Sequence, residues 1–570
     1  MAARGLRKGL TSYGDTEFSL FLRRAFIKAM GYSDDALDRP IVGITNTYSD
    51  YNPCHGNVPD LVEAVKRGVL LAGALPMVFP TMTIHESFAH PTSMYLRNLM
   101  AMETEEQIRS QPMDAVVLIG GCDKTLPAQM MAAVSANLPA IVLPVGPMVA
   151  GRYKGEVLGA CTDCRRLWSK FRAGEMTKSE IDDVNARLAP SVGTCTVMGT
   201  ASTMACIVEA LGISLPMAAS IPATHAERRR VAEATGKRAA EMAHSGGPLP
   251  CEFVTAKSIR NALLVLQSIG GSTNGLIHLT AIAGRAGYKI DLDEVDQLGR
   301  SVPLLVDLKP SGDHYMEDFH HSGGMPRLMK ELASDLSLDA PSIEGGTLAD
   351  IVAGVQEFSG EVAIRARNNP LQPRGAVAVL RGTLAPNGAV IKQSTASQKL
   401  LQHTGPAVVF DSVREMTERL DADDLEVTAD SVLVLRNAGP KGAPGMPEAG
   451  YIPIPRKLAR LGIKDMVRIS DARMSGTAFG TIVLHISPEA AIGGPLGVVR
   501  SGDLIRLDVP ARRIDLLVSD DELRGRMDDW QSRQNPGWDA SRGYAQLFQE
   551  TVLQAEDGCD FNFLRAAAPK

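Results

Sequence analysis

The sequence predicts an α/β protein: an N-terminal α/β domain with a parallel sheet, followed by a smaller β-rich C-terminal domain. Three observations predict it. In the first third, short apolar β-branched runs alternate with segments of helical periodicity, as strands covered on both faces by helices do. A polar, Pro-rich stretch, Ala366-Arg-Asn-Asn-Pro-Leu-Gln-Pro-Arg374, then interrupts the pattern as a linker would. Beyond it the chain turns to closely spaced strands. The boundary is placed at 368/369, giving domains 1–368 and 369–570 within 570 residues.

Each element has its own signal. Pro40-Ile-Val-Gly-Ile-Thr45 is a buried strand, and Val58 to Ala74 is a helix with Leu61, Val62, Val65 and Val69 on one face. Strand Pro76–Met82, helix Ser93–Arg109, strand Ala115–Gly120, helix Leu126–Asn137 and strand Pro139–Val145 continue the alternation. Thr177-x-x-Glu180 is a capping box that opens a short helix. Met198–Leu211 is a helix rich in small residues, and helices Ala256–Ile269 and Leu276–Arg285 flank the turn Gly270-Gly-Ser-Thr-Asn274. In the second domain, strands are expected at Ala376–Leu384, Ala389–Lys392, Ser431–Leu435, Asp503–Val509 and Ile514–Val518, with a turn at Pro386-Asn-Gly388.

Composition excludes several classes. The chain is 45% hydrophobic and 22% charged, which rules out a disordered protein. A net charge of −6 offers no global attraction to nucleic acid or an acidic membrane. The basic N-terminus has no apolar run behind it, and no stretch is long enough to span a bilayer. Eight cysteines in so long a chain do not make a disulfide scaffold, so a cytoplasmic, reducing location is expected.

The chemistry lies in loops. No phosphate-binding Gly-rich loop and no nucleophile elbow occur. His85 and His90 are five apart, one residue too far to share a helix face, so a zinc-protease site is excluded. Cys54, Glu86 and Cys122-Asp123-Lys124 follow the first, second and third strands. In an open parallel sheet those loops meet in one crevice. Cys195 stands just ahead of a helix, where the dipole favours a thiolate. Thiolates suit iron–sulfur clusters or zinc and carboxylates suit magnesium or calcium, so both sets together imply two different metals, although buried packing accounts for cysteines equally well. Cys161 and Cys164 form a Cys-x-x-Cys that is either a redox or half-zinc pair or two ordinary thiols at a helix start. In the second domain, the loop Asn437–Glu448 and the segment Asp471-Ala-Arg-Met-Ser-Gly-Thr477 are surface turns or ligand loops carrying Glu448 and Ser475.

Six segments, in order, resemble the dihydroxy-acid and sugar-acid dehydratase family, which includes 6-phosphogluconate dehydratase. They are Asn52-Pro-Cys-His-Gly-Asn57, Gly120-Gly-Cys-Asp-Lys-Thr125, Gly193-Thr-Cys-Thr-Val-Met-Gly-Thr-Ala-Ser202, Gly270-Gly-Ser-Thr-Asn274, Gly442-Ala-Pro-Gly-Met-Pro-Glu448 and Ser470-Asp-Ala-Arg-Met-Ser-Gly-Thr477. The resemblance implies a C-terminal domain like the swivelling domain of aconitases and a [2Fe–2S] cluster on Cys54, Cys122 and Cys195. It also implies magnesium on Glu86, Asp123, Glu448 and a carbamylated Lys124, with Ser475 as catalytic base, and a homotetramer built as a dimer of dimers. The implied reaction is dehydration of a small acid to a 2-keto-3-deoxy acid: an iron Lewis acid removes the 3-hydroxyl and a serine alkoxide removes the C2 proton. Thr196-Val197, Met474-Ser-Gly-Thr477 and His85-Glu-Ser-Phe-Ala-His-Pro91 look like the enzymes acting on aldonates such as L-arabinonate or D-xylonate, with Thr477 reaching distal hydroxyls. The alternative is the branched-chain 2,3-dihydroxy-acid dehydratase of valine and isoleucine biosynthesis. A colourless thiol–disulfide or zinc protein built on Cys161 and Cys164 is a third expectation.

Overall fold

The computed structural model of the chain describes residues 4–10, 13–356, 362–531, 538 and 540–568. Strands β1 (Ile41–Asn46), β2 (Leu75–Pro80), β3 (Ala115–Gly120) and β4 (Ala140–Pro144) form a parallel sheet in the order β2-β1-β3-β4. Every residue of β3 is buried, because helices cover both faces. Helix Val58–Leu71 lies against helix Ala226–Ser245, an element with no apolar stripe to betray it. Their backbones approach at two glycines: a Cβ on Gly68 would come 1.9 Å from the Glu233 carbonyl oxygen, and one on Gly236 2.2 Å from that of Val65. The capping box at Thr177 is present, and a small hairpin of β5 (Gly151–Tyr153) and β6 (Glu156–Leu158) precedes it.

Residues 363–375 run along the N-terminal half, with Arg365 N–H donating to the Leu305 carbonyl and Leu304 N–H to that of Gln372. The β-rich part then closes into a barrel. Its strands are β7 (Val377–Gly382), β8 (Ala385–Lys392), β9 (Gln402–Phe410), β10 (Val432–Leu435), β11 (Arg468–Ser470), β12 (Ile482–Ser487), β13 (Leu504–Asp508) and β14 (Arg513–Leu516). Around the barrel the order is β10-β11-β12-β8-β7-β14-β13-β9. The turn expected at Pro386–Gly388 is instead part of β8. The chain reverses at Thr383-Leu384, and the register steps from Leu380–Ala389 to Gly382–Ala385, so Pro386 and Asn387 sit exposed on a bulge.

The C-terminal segment returns to the N-terminal half and fastens the two together. Buried Arg285 donates twice to Asp560, at 2.6 and 3.1 Å, and buried Arg97 donates to the Gly558 and Cys559 carbonyls at 2.9 Å. Among the described residues, no helix is long and apolar enough to cross a membrane.

Candidate active site

The loops past the carboxyl ends of β1 and β3 carry Cys54 and Cys122, and one imidazole ties them together. Buried His55 donates from Nδ1 to the Thr47 carbonyl at 2.9 Å and accepts the Gly121 N–H on Nε2 at 2.9 Å. Burial pushes its pKa down to about 4, so the ring is neutral, as that pair of bonds requires. Cys122 takes a left-handed backbone (φ 36°), and a Cβ on Gly121 would come 2.2 Å from Val145. Close packing thus fixes the turn that aims the thiol. The sulfurs of Cys54 and Cys122 and a ring nitrogen of His85 all lie within 4.8 Å of one another. Residues 86–88 form a turn and not a helix, and His85 joins the sulfur group without His90.

Cys195 is held beside them by an extended pairing. Thr194 N–H donates to the Gly146 carbonyl and Met148 N–H to that of Thr194, stitching the loop to the chain leaving β4. Its sulfur stands 3.8 Å from that of Cys161, the cap residue of helix Thr162–Ala173. The hydrogen bond with Cys122, then burial, pushes the Cys54 thiol well up; Cys161 and burial do the same to Cys195. Cys206 is buried in the core and Cys559 packs under Met446.

A second group is built of oxygens. Carboxylate oxygens of Glu86, Asp123 and Glu448 lie within 4.8 Å of one another, Glu448 arriving from the barrel on the long loop after β10. Two fully buried cations face them. Lys124 Nζ is 2.9 Å from Glu86 and 3.7 Å from Asp123. Arg473 donates to Glu448 at 2.5 Å, to Glu86 at 3.3 Å, to Thr92 Oγ1 at 2.8 Å and to the Met446 carbonyl at 2.7 Å. The Thr92 and Ser93 hydroxyls donate to Glu86, and Asn274 Nδ2 donates to Glu448 at 3.2 Å. Burial works to raise the Glu86 carboxyl, but Lys124 and Arg473 together hold it well below the usual range. Burial, then Glu86, pushes Glu448 up to about 7, and burial raises Asp123.

Ser475 lies in the loop between β11 and β12, 9% exposed, with Oγ 2.8 Å from Thr477 Oγ1. A Cβ on the next residue, Gly476, would meet Ser272 Cβ at 2.6 Å and Thr200 N at 2.8 Å. Glycine there lets the barrel loop seat against two helix starts of the N-terminal half. The Thr477 carbonyl accepts from Thr162 Oγ1 at 2.9 Å, anchoring the same loop to the helix that begins after Cys161. From β8, the wholly buried Lys392 donates to the Gly476 carbonyl at 3.3 Å. Burial pushes its ammonium pKa down to about 7.

The residues expected to bind metal or act in catalysis fall into three groups: sulfurs at Cys54, Cys122 and Cys195, oxygens at Glu86, Asp123 and Glu448 with Lys124, and the Ser475–Thr477 loop; of the other expected pair, Cys161 stands beside Cys195 and Cys164 turns to the Cys161 carbonyl. Sequence reasoning did not single out His85, Arg473, Asn274 or Lys392 for a role. Arg473 sits inside a quoted motif, and Lys392 ends an apolar strand at a buried position; both signals were there to read. The donor chemistry fits two metals: thiols for iron–sulfur, and three convergent carboxylates for a hard divalent cation.

The N-terminal model of the dihydroxy-acid/6-phosphogluconate dehydratases matches residues 39–351 and their C-terminal model matches 362–559. The chain is 46% identical to an L-arabinonate dehydratase of Rhizobium leguminosarum bv. trifolii, over 97% of the chain and 95% of the relative. It is 42% identical to a 6-deoxy-6-sulfo-D-gluconate dehydratase of Pseudomonas putida, over 96% and 94%. A dihydroxy-acid dehydratase of Acetivibrio thermocellus is 36% identical, over 94% and 96%.

Proposed function

The chain belongs to the dihydroxy-acid/6-phosphogluconate dehydratase family and is a hydro-lyase, and from that premise we propose that it dehydrates a sugar acid, an aldonate such as L-arabinonate or D-xylonate, to the 2-keto-3-deoxy acid. One observation carries the proposal: a sulfur group and an oxygen group are joined through adjacent residues, and Asn274 ties Glu448 of the oxygens to the Met474 carbonyl, next to the serine that the barrel inserts between helix starts. Similarity to sugar-acid dehydratases at 42–46% identity, against 36% for a dihydroxy-acid dehydratase, supports the aldonate over the branched-chain acid.

In this reading Cys54, Cys122 and Cys195 hold a [2Fe–2S] cluster, while Glu86, Asp123, Glu448 and a carbamylated Lys124 hold magnesium. The buried Lys124 amine, freed of its proton, would add to carbon dioxide at nitrogen and release a proton, exchanging a cation for an anionic oxygen donor. When bound, the two metal centres supply Lewis acidity toward the 3-hydroxyl and toward the substrate's carboxylate and 2-hydroxyl. The protein does the rest. Arg473 holds Glu448 and Glu86 in place from behind. Ser475 Oγ, as an alkoxide, takes the C2 proton, and Thr477 Oγ1 hydrogen-bonds to it and to a distal substrate hydroxyl. The freed electron pair makes the C2–C3 double bond as the 3-hydroxyl departs, and the enol tautomerises to the ketone.

A serine hydroxyl is far too weak a base alone, so positive charge must lie near it. Lys392, donating to the carbonyl of the next residue, supplies part of that charge from the protein side. The same reading has the enzyme cytoplasmic and homotetrameric. Helix Thr16–Lys28 leaves Phe18, Phe21 and Phe26 exposed, an apolar face that assembly would cover. The test is a visible spectrum with iron and sulfide analysis of anaerobically purified protein, then rates on L-arabinonate, D-xylonate and 2,3-dihydroxyisovalerate. Ser475→Ala should abolish turnover and leave the spectrum intact. Retained turnover would remove the serine from its role, and a colourless, sulfide-free protein would overturn the whole reading.

A further inference from the structure

The three cluster cysteines leave one iron with a vacant terminal position, yet a fourth sulfur stands at the pocket. Cys161 Sγ is 3.8 Å from Cys195 Sγ. Tetrahedral metal–sulfur bonds of about 2.3 Å place two sulfurs on one metal about 3.8 Å apart. Cys54 and Cys122, whose sulfurs lie within 4.8 Å of each other, make the other pair. The four thiols thus fall into two pairs, the arrangement that a two-iron cluster with four cysteine ligands requires.

The local structure directs Cys161, not Cys164, to this place. Cys161 caps helix Thr162–Ala173, and the next residue, Thr162, is fixed by its bond to the Thr477 carbonyl. Cys164 turns back one helical step and donates its thiol to the Cys161 carbonyl at 2.6 Å. The Cys-x-x-Cys is not a disulfide: both thiols are free and in contact with each other, and Cys161 is the one whose sulfur also reaches Cys195. Asp123 and Cys54 both lie within electrostatic reach of Cys161.

We propose that Cys161 is a fourth, exchangeable ligand of the cluster, bonded to the iron that Cys195 also holds whenever substrate is absent. The inference rests on the function proposed above. On substrate entry the sulfur–iron bond breaks, the sulfur leaves with its electron pair as a thiolate, and the position becomes open to the 3-hydroxyl. The resting cluster is then fully ligated and shielded.

The experiment uses the full chain purified anaerobically, with iron and sulfide measured first. Thiols are alkylated with iodoacetamide in the loaded protein and after cluster removal, and mapped by mass spectrometry, with exposed Cys251 as the always-labelled control. Electron paramagnetic resonance of the reduced cluster is recorded for wild type and for Cys161→Ser, both without substrate. The expected result is loss of Cys161 labelling in the loaded protein only, together with a shifted resonance in Cys161→Ser at unchanged iron content. Free labelling of Cys161 in the loaded protein, or identical resonances, would overturn the fourth ligand and leave the dehydratase reading standing. Absence of iron and sulfide would overturn both.

Discussion

Replacing Lys392 by Met should make the protein more stable and less active at once. The ammonium is wholly buried, its one hydrogen bond goes to the Gly476 carbonyl, and burial moves its pKa from 10.5 to about 7. A lowered lysine pKa means that the unfolded chain binds the proton more tightly than the folded one, so stability rises with pH across that window. The penalty is absent above the unfolded value, grows by about 1.4 kcal/mol per pH unit on descending, and levels off below about pH 7 at about 5 kcal/mol, of which about 4 kcal/mol is present at pH 7. Methionine has similar length and no charge, and losing the hydrogen bond returns about 1–3 kcal/mol. The net gain at pH 7 is therefore about 1–3 kcal/mol, shrinking towards pH 10. Urea unfolding of wild type and Lys392→Met at pH 7, 8 and 9 measures it, and turnover on an aldonate measures the functional loss. A pH-independent difference, or full activity in the stabilised variant, would refute the electrostatic role assigned to this lysine.

Other perturbations give separate readouts. Gly476→Ala forces a Cβ into Ser272 and Thr200, so the Ser475 loop must move; a displacement of about 1 Å costs about 100-fold in turnover, while circular dichroism should be unchanged. His55→Leu strands the Thr47 carbonyl and the Gly121 amide between the two cysteine loops, and iron content per chain should fall well before the fold is lost. Arg285→Met leaves Asp560 buried and unpaired, a cost of about 3–5 kcal/mol. Because that pair fastens the C-terminal segment to the N-terminal half, magnesium affinity should drop more than iron content.

The fold class was legible because periodicity is a local property. The boundaries of β3 coincide with the expected strand, and the helices flanking Gly270–Asn274 lie where their patterns put them. Barrel closure was not legible: β11 has three residues, and its parallel partners β10 and β12 are chosen by packing at a distance. Helix Ala226–Ser245 escaped because it meets its neighbour through glycine and alanine, which leave no apolar stripe. In the site, Cys54, Glu86 and Cys122–Lys124 could be placed because loops past parallel strands must converge. For Arg473 and Lys392 only the position was marked, by a motif and by the end of an apolar strand, since a buried cation acquires its role from the groups that folding sets opposite it. Cys161 invited pairing with Cys164 by spacing, and the fold sets it against Cys195 as well.

The two donor groups are joined through the backbone. His85 is adjacent to Glu86 and Cys122 to Asp123, and in each pair one residue faces the sulfurs and the other the oxygens. Neighbouring Cα atoms are about 3.8 Å apart, so the soft and the hard sites cannot drift from one another without breaking a turn that His55 and Gly121 hold. Their separation is thus a property of the N-terminal half alone. The barrel adds what that half lacks: Glu448 to complete the oxygens, Arg473 to hold them, and Ser475, the base of the proposed reaction. The proposed reaction, in which one carbon loses a proton and its neighbour a hydroxyl, needs this division: two fixed donor groups would set the spacing and the barrel's seating would set where the proton goes. In that proposed reaction substrate length would be read by the same barrel loop that carries Thr477, so one scaffold would serve acids of different size without moving either donor group.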